Sequence, residues 1–290
     1  MRSVKHHIRS LKESDRADVM EIARLTWDGH DHLPHMFDAW LMDSNCFPYA
    51  IEVSNKVITL GNVKLIENGR TAWLEGLRVH PDFREQGFAH IMTNRMLNIA
   101  KEIGAIRTRL TLALENPAPS ALAKSIGMYP VFSLAVGWKN WLKEIELKHD
   151  LIHVKQVTGT EMLDAINSNE SILPSGIFVY HWYALDANLE NVKSLDENIT
   201  FWILKHEKMT VGLAIGLLRH TTDGPEWCTT IYAASRDAFK TMLTHQIKIT
   251  KDQNVEGIMF QYSKEYEIHV KEIIGETTHE ITLMLYEGPV

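Results

Sequence analysis

Two stretches of this sequence carry residue types that can do chemistry. The first is Trp73-Leu-Glu-Gly-Leu-Arg-Val79, an apolar run with one carboxylate, Glu75. Alternation with period two places Trp73, Glu75, Leu77 and Val79 on one face of a strand. A carboxylate on such a face loses part of its hydration, which raises its pKa toward the range of a working general base. The second stretch is Arg84-Glu85-Gln86-Gly87-Phe88-Ala89. Small residues at Gly87 and Ala89, just before a helix, let backbone N–H groups approach a phosphate closely. The unpaired donors and positive dipole end of the helix add to that attraction. The plainer alternatives are a carboxylate hydrogen-bonded within its sheet and a tight turn with no ligand.

The elements that must position these residues follow from spacing. Pro81 stops the strand, because it has no N–H to give to a ladder. Phe88, Met92, Met96, Ile99 and Ile103 recur at helical spacing after the loop. Upstream, Val4 to Leu11 alternates as a strand, and Ser14-Asp15 caps a helix with an apolar stripe of Val19, Ile22, Ala23 and Leu25. Gly29 breaks that helix, and Pro34 suits the first turn of a second, packed through Met36, Phe37, Trp40 and Leu41. Residues 48–53 and 57–66 read as strands, and Asn68-Gly69 is a strong hairpin signal leading into the strand of Glu75. Downstream, Leu110, Leu112 and Leu114 alternate. Asn116 to Tyr129 then reads as cap, helix, glycine stop and next strand. Residues 139–150 read as the last strand and exit of a first domain.

Bulk properties narrow the function classes. A chain of 290 residues holds one large domain or two ordinary ones, with 45% hydrophobic and 23% charged residues. Its net charge of −7 argues against a nucleic-acid binder working through a broad basic face. With only Cys46 and Cys228, no disulfide framework or cysteine metal site is implied, and a reducing compartment is the natural reading. The opening residues lack the apolar core of a signal peptide, and no run reaches the ~18 apolar residues of a membrane span. The cytoplasm is the expected location, with no membrane partner. His6-His7 and His30-x-His32-x-x-His35 lack the i, i+4 pairing of a zinc hydrolase, so no metal is expected.

Arg84-x-x-Gly87-x-Ala89, set after Leu77-Arg78-Val79-His80-Pro81, resembles the acetyl-CoA pyrophosphate loop of the GCN5-related N-acetyltransferases. The resemblance implies a GNAT fold of the α/β (α+β) class, a mixed central sheet flanked by helices. It implies acetyl-CoA as co-substrate, held by Leu77, Arg78 and Val79 and by the Arg84–Ala89 loop. In that family an asparagine placed like Asn116 lies beside the pantetheine arm, and a tyrosine placed like Tyr129 often serves as general acid. An aromatic at that position is also ordinary core. The segment Asp28-Gly-x-Asp31-x-Leu-Pro, followed by an aromatic residue and Trp40-Leu, resembles the histidine N-acetyltransferase branch. There the first two helices and their elbow border the acceptor site. On that reading Asp28 and Asp31 draw in the cationic amine, and Trp27 and Trp40 wall the pocket. The plain reading is a well-packed helical hairpin.

The second half repeats the first at the level of elements. Strand and helix over 152–166, a hairpin over 201–216, a strand over 227–233 and a helix over 237–251 lead to strand, helix and strand from 255 to 287. Ser235-Arg-Asp-Ala-Phe-Lys240 stands where the phosphate loop would be, with no glycine for close backbone approach. The expectation is a catalytic domain at 1–148 and a degenerate GNAT-like domain at 149–290, which either shapes the acceptor cleft or serves as a stabilising lobe. Three functions compete: acetylation of a small amine such as the α-amine of histidine by direct attack in a ternary complex, acetylation of a protein or peptide, and acetyl-CoA binding without transfer. The sequence leaves the oligomeric state open.

Overall fold

A computed structural model describes residues 5–140, 142, 145, 154–195, 197–221, 224–253, 255 and 257–290. The domain boundary expected at 148/149, and most of the strand expected over 139–150, lie outside the described residues. The chain forms two compact units that are not divided at a single point. One comprises Met1–Leu110, Ala118–Tyr129 and Tyr286–Val290; the other comprises Thr111–Pro117 and Pro130–Leu285.

The first unit contains strands β1 (His7–Ser10), β2 (Cys46–Val53), β3 (Lys56–Ile66), β4 (Thr71–Val79) and the start of β5 (Arg107–Ala113). They lie side by side in that order. The first four pair antiparallel, and β5 pairs parallel to β4, through Thr71–Trp73 against Arg107–Arg109. The β3–β4 turn uses left-handed backbone at Glu67, Asn68 and Gly69, the chemistry that Asn-Gly supplies. Helices α1 (Arg16–Arg24) and α2 (Leu33–Met42) cover one face, sealing Val19, Ile22, Phe37 and Trp40 against Ala50 and Leu60. Leu25, expected in the stripe of α1, is instead 36% exposed, because the helix has ended before it. Helix α3 (Phe88–Glu102) covers the opposite face. It lies so close that a Cβ on Gly61 would sit 2.8 Å from the sulfur of Met96. On β5 the leucines at 110, 112 and 114 are not the buried positions; Thr108 and Arg109 are, so its alternation misidentified the covered residues. Helix α4 (Pro117–Ser125) precedes β6 (Tyr129–Asn140).

The second unit begins with β7 (Val154–Val157) and α5 (Gly159–Ser168). A short hairpin of β8 (Ile177–Tyr180) and β9 (Tyr183–Asp186) and a one-turn helix α6 (Leu189–Lys193) follow, none of which the sequence pattern announced. Then come β10 (Thr200–His206), β11 (Met209–Thr221), β12 (Gly224–Ala233), α7 (Arg236–Asp252), β13 (Gly257–Tyr262), α8 (Glu267–Ile274) and β14 (His279–Gly288). The sheet order is β14-β6-β13-β12-β11-β10-β7. Trp202, Phe239, Met242, Phe260 and Tyr262 centre its core. Gly212 repeats the device of Gly61: an added Cβ there would meet Met242 of α7 at 2.8 Å. Each unit is thus a mixed sheet flanked by helices, with one long helix seated on a strand glycine.

Candidate active site

The site is built around a defect in β4. Asn62 pairs with Glu75 and Leu60 with Arg78, so Gly61 alone stands opposite both Gly76 and Leu77. That extra residue is a β-bulge, which bends the strand and leaves backbone groups unpaired. Gly76 sits at φ +67, and a Cβ there would lie 2.1 Å from the Trp40 ring. A glycine is required on both counts.

The bulge overturns the expected alternation. Directly paired residues share a face, so Trp73, Glu75 and Arg78 point with Lys64, Asn62 and Leu60 toward α1 and α2. Val79 pairs with Thr59, on the opposite side. Leu77 and Val79 therefore do not continue the face of Glu75; Arg78 does. Nor is the surrounding of Glu75 simply apolar. Its Oε1 accepts hydrogen bonds from Trp40 Nε1 and Asn62 Nδ2, each at 2.8 Å.

Arg78 reaches the elbow between α1 and α2. Its Nε and Nη2 donate to Asp31 at 2.7 and 2.9 Å, and its guanidinium lies 4.3 Å over the Trp27 ring. Asp31, 1% exposed, also accepts from the Leu33 N–H at 3.1 Å. This carboxylate, expected to draw in the acceptor amine, is paired with Arg78 within the protein. Trp40, expected to wall the pocket, is 3% exposed and holds Glu75 through its indole N–H. Trp27, 58% exposed, and Asp28 face water, as do Gly29 and His30 beside them. The φ values of Trp27 and Asp28, 48° and 54°, lie in the left-handed region and are followed by Gly29 at 89°. A bulky side chain held there signals strain that the surrounding contacts must outweigh.

The expected anion loop lies where β4 ends. Arg84 Nε donates to the Val79 carbonyl at 3.3 Å, and Gln86 Nε2 to the Asp82 carbonyl at 3.0 Å. Glu85 and Gly87 take positive φ, 60° and 85°. Gly87 caps α3, and an added Cβ would meet no atom within 4 Å. Arg84, Glu85, Gln86 and Gly87 are exposed, while Phe88 is buried and packs edge-on against Phe83. The first N–H groups of a helix have no partner inside it. Here they open on the clear side of a glycine, which fits a diphosphate. In the second unit the matching helix end is closed: the Ser235 hydroxyl accepts from the Ala238 N–H at 3.3 Å. That unit has a cleft of about 770 Å³ farther along α7, beside Trp202, His245 and Asp252.

Tyr129, 52% exposed, donates its hydroxyl to Glu287 Oε1 at 3.0 Å. That hydrogen bond pushes its pKa above the ordinary tyrosine value. Glu287 is itself held by Arg109 Nε at 2.8 Å, and buried Glu67 bridges Arg109 and Arg107. Asn116 is exposed and belongs to the second unit. Sequence reasoning missed Gly76, Asn62 and Glu287. Only Gly76 carried a local signal, since a glycine inside a strand pattern marks a bulge. Among the described residues, no group of three or more His, Cys, Asp or Glu could hold a metal ion. No described helix is long and apolar enough to cross a membrane.

Residues 16–128 match the family model for the Acetyltransferase (GNAT) family. Among curated relatives, the chain is 33% identical over 89 residues to histidine N-acetyltransferase of Scomber australasicus, covering 31% of this chain and 26% of the relative. The match thus spans about a quarter of the relative's length. A GCN5-related N-acetyltransferase structure from Sphaerobacter thermophilus superimposes with TM-score 0.67 at 9% identity, over 98% of this chain and 95% of that one. A tandem GNAT protein from the clavulanic acid biosynthesis pathway gives TM-score 0.59 at 12% identity, over 98% of each chain. Identities this low speak for the fold alone.

Proposed function

We propose that the first unit is an acetyl-CoA-dependent N-acetyltransferase whose acceptor is the α-amine of an amino acid, with histidine the leading candidate. The observation that carries this reading is the joint placement of Glu75 and Gly87 on either side of the β4 bulge and end. A glycine-capped helix opens on free space, and a carboxylate with fixed partners sits three residues before Arg78, on the face of the acceptor elbow. When bound, acetyl-CoA supplies the acetyl thioester; the Arg84–Ala89 backbone and the first turn of α3 would hold its diphosphate. Glu75 takes the proton from the acceptor ammonium, directly or through a water. The N–H of Leu77, next to the bulge, is the donor for negative charge developing on the acetyl oxygen. Tyr129 keeps its proton across the neutral range and is the candidate donor to the departing sulfur.

The matches to histidine N-acetyltransferases favour histidine, and the exposed elbow supports an acceptor with a flat ring. Trp27 offers an indole held in place by Arg78, and Asp28 offers a solvent-facing carboxylate for the amine. A site that pairs polar groups with an imidazole rejects analogues lacking one, since those groups would be left unsatisfied. The test is a screen of free amino acids and short peptides with acetyl-CoA, read by released thiol. Histidine should turn over much faster than leucine or phenylalanine, and Gly87→Trp should abolish acetyl-CoA binding in calorimetry. Equal rates for histidine and leucine would overturn the acceptor; unimpaired binding by Gly87→Trp would overturn the cofactor site.

A further inference from the structure

Resting on the reading of Glu75 as base, we propose that Trp40 and Asn62 are positioning residues that keep Glu75 ionised and aimed from the bulge. Both donate to the same oxygen, Oε1, at 2.8 Å, one from α2 and one from β3. The two hydrogen bonds fix one carboxylate oxygen and so set the direction of the other. Trp40 has a second task. Its ring occupies the space beside Gly76 where any Cβ would collide, so the indole that orients the carboxylate also holds the shape of the bulge. No residue other than tryptophan offers a ring of that reach and an N–H at its edge.

A hydrogen bond to the charged form of a carboxylate stabilises that form and lowers the pKa. Trp40 and Asn62 are neutral, so they achieve this without placing a cation where the acceptor ammonium must arrive. The charged and titratable groups on the packed elements are few. Lys64 on β3 lies near enough to couple to Glu75 and is paired with Asp43 at 3.1 Å. Cys46 on β2 also couples to Glu75, and burial pushes its thiol up to about 11, so it stays protonated. Arg78, on the strand of Glu75, is engaged by Asp31. The two neutral donors are the influence on the base that substitution can remove without changing any charge.

The test compares Trp40→Phe, which keeps a ring over Gly76 and removes the N–H, with Asn62→Leu and the double variant. In each, the acid limb of the pH profile for acceptor turnover should move up by about half to one pH unit per lost hydrogen bond. The Michaelis constant for acetyl-CoA should stay within about twofold. A carbon-detected NMR titration of the Glu75 carboxyl in the ligand-free protein should show the same upward shift, independently of activity. Limbs and titration unchanged in Trp40→Phe and Asn62→Leu, with Glu75→Gln inactive, would reduce both residues to packing and overturn the proposal alone. A Glu75→Gln variant as active as wild type would remove the base reading, and the proposal with it.

Discussion

The hydroxyl of Tyr129 donates to Glu287 at 3.0 Å across 158 positions of sequence. The candidate acid of the first unit is therefore set by a residue from the last strand of the chain. Because the hydrogen bond to Glu287 is what raises the Tyr129 pKa, Glu287→Gln should let Tyr129 ionise at lower pH, back toward about 10. Ultraviolet titration against Tyr129→Phe isolates this one phenol. An unchanged ionisation would show that Glu287 does not govern it.

Asp31 gives a second expectation. Its carboxylate is buried and shared by two guanidinium nitrogens of Arg78. Removing one partner of such a pair leaves an uncompensated charge, at a cost of about 3 kcal/mol. Asp31→Ala should therefore lower stability in urea unfolding and slow turnover through misplacement of Trp27. A variant as stable as wild type, with only a raised Michaelis constant for the amine, would restore Asp31 as a direct acceptor ligand.

Gly76 should tolerate nothing larger. Gly76→Ala forces a Cβ into Trp40 and into left-handed backbone, a combined cost of at least about 2 kcal/mol. Pairing it with Trp40→Ala should relieve the collision and leave the backbone strain. If the double variant is no better than the sum of its parts, collision with Trp40 is not the cause.

Acid should weaken the first unit at Asp15. Burial opposes its charge, but hydrogen bonds from Arg9 and the Lys12 N–H outweigh that and hold its pKa below the ordinary aspartate range. A depressed folded-state pKa gives stability that is present above the unfolded value, about 3.9, and is lost as pH falls through the folded value. Asp15→Asn should thus melt below wild type at pH 7, with the gap narrowing below about pH 3.9 and closing at the acid end, as pH falls through the depressed folded value. A gap equally wide at both would point to shape rather than charge.

Much of the fold was readable because its signals are local. Met92, Met96 and Ile99 announce α3 by spacing alone, and Asn68-Gly69 announces its turn. The loop before α3 was readable for the same reason: Gly87 and the helix it caps are adjacent. The chemistry was harder to read, because it depends on partners distant in sequence. Asp31 and Arg78 lie 47 positions apart, and each alone looks like a free charge. Gly76 shifts the face of everything after it on β4, so an alternation correct up to Glu75 fails at Leu77. The β8–β9 hairpin and α6 are too short for periodicity to register.

The interleaving of the two units has a consequence for how the chain is made. The Thr108 hydroxyl reaches the Gly288 carbonyl, so the ribosome must add 180 residues before the first unit can make that bond. At 5–20 residues per second this is a wait of roughly ten to forty seconds. Throughout it, the guanidinium of Arg109, 1% exposed in the finished protein, has yet to meet Glu287. The half that is translated first is thus completed last, and a nascent chain stalled anywhere before residue 286 carries the Arg84–Ala89 loop without the clasp that holds Tyr129.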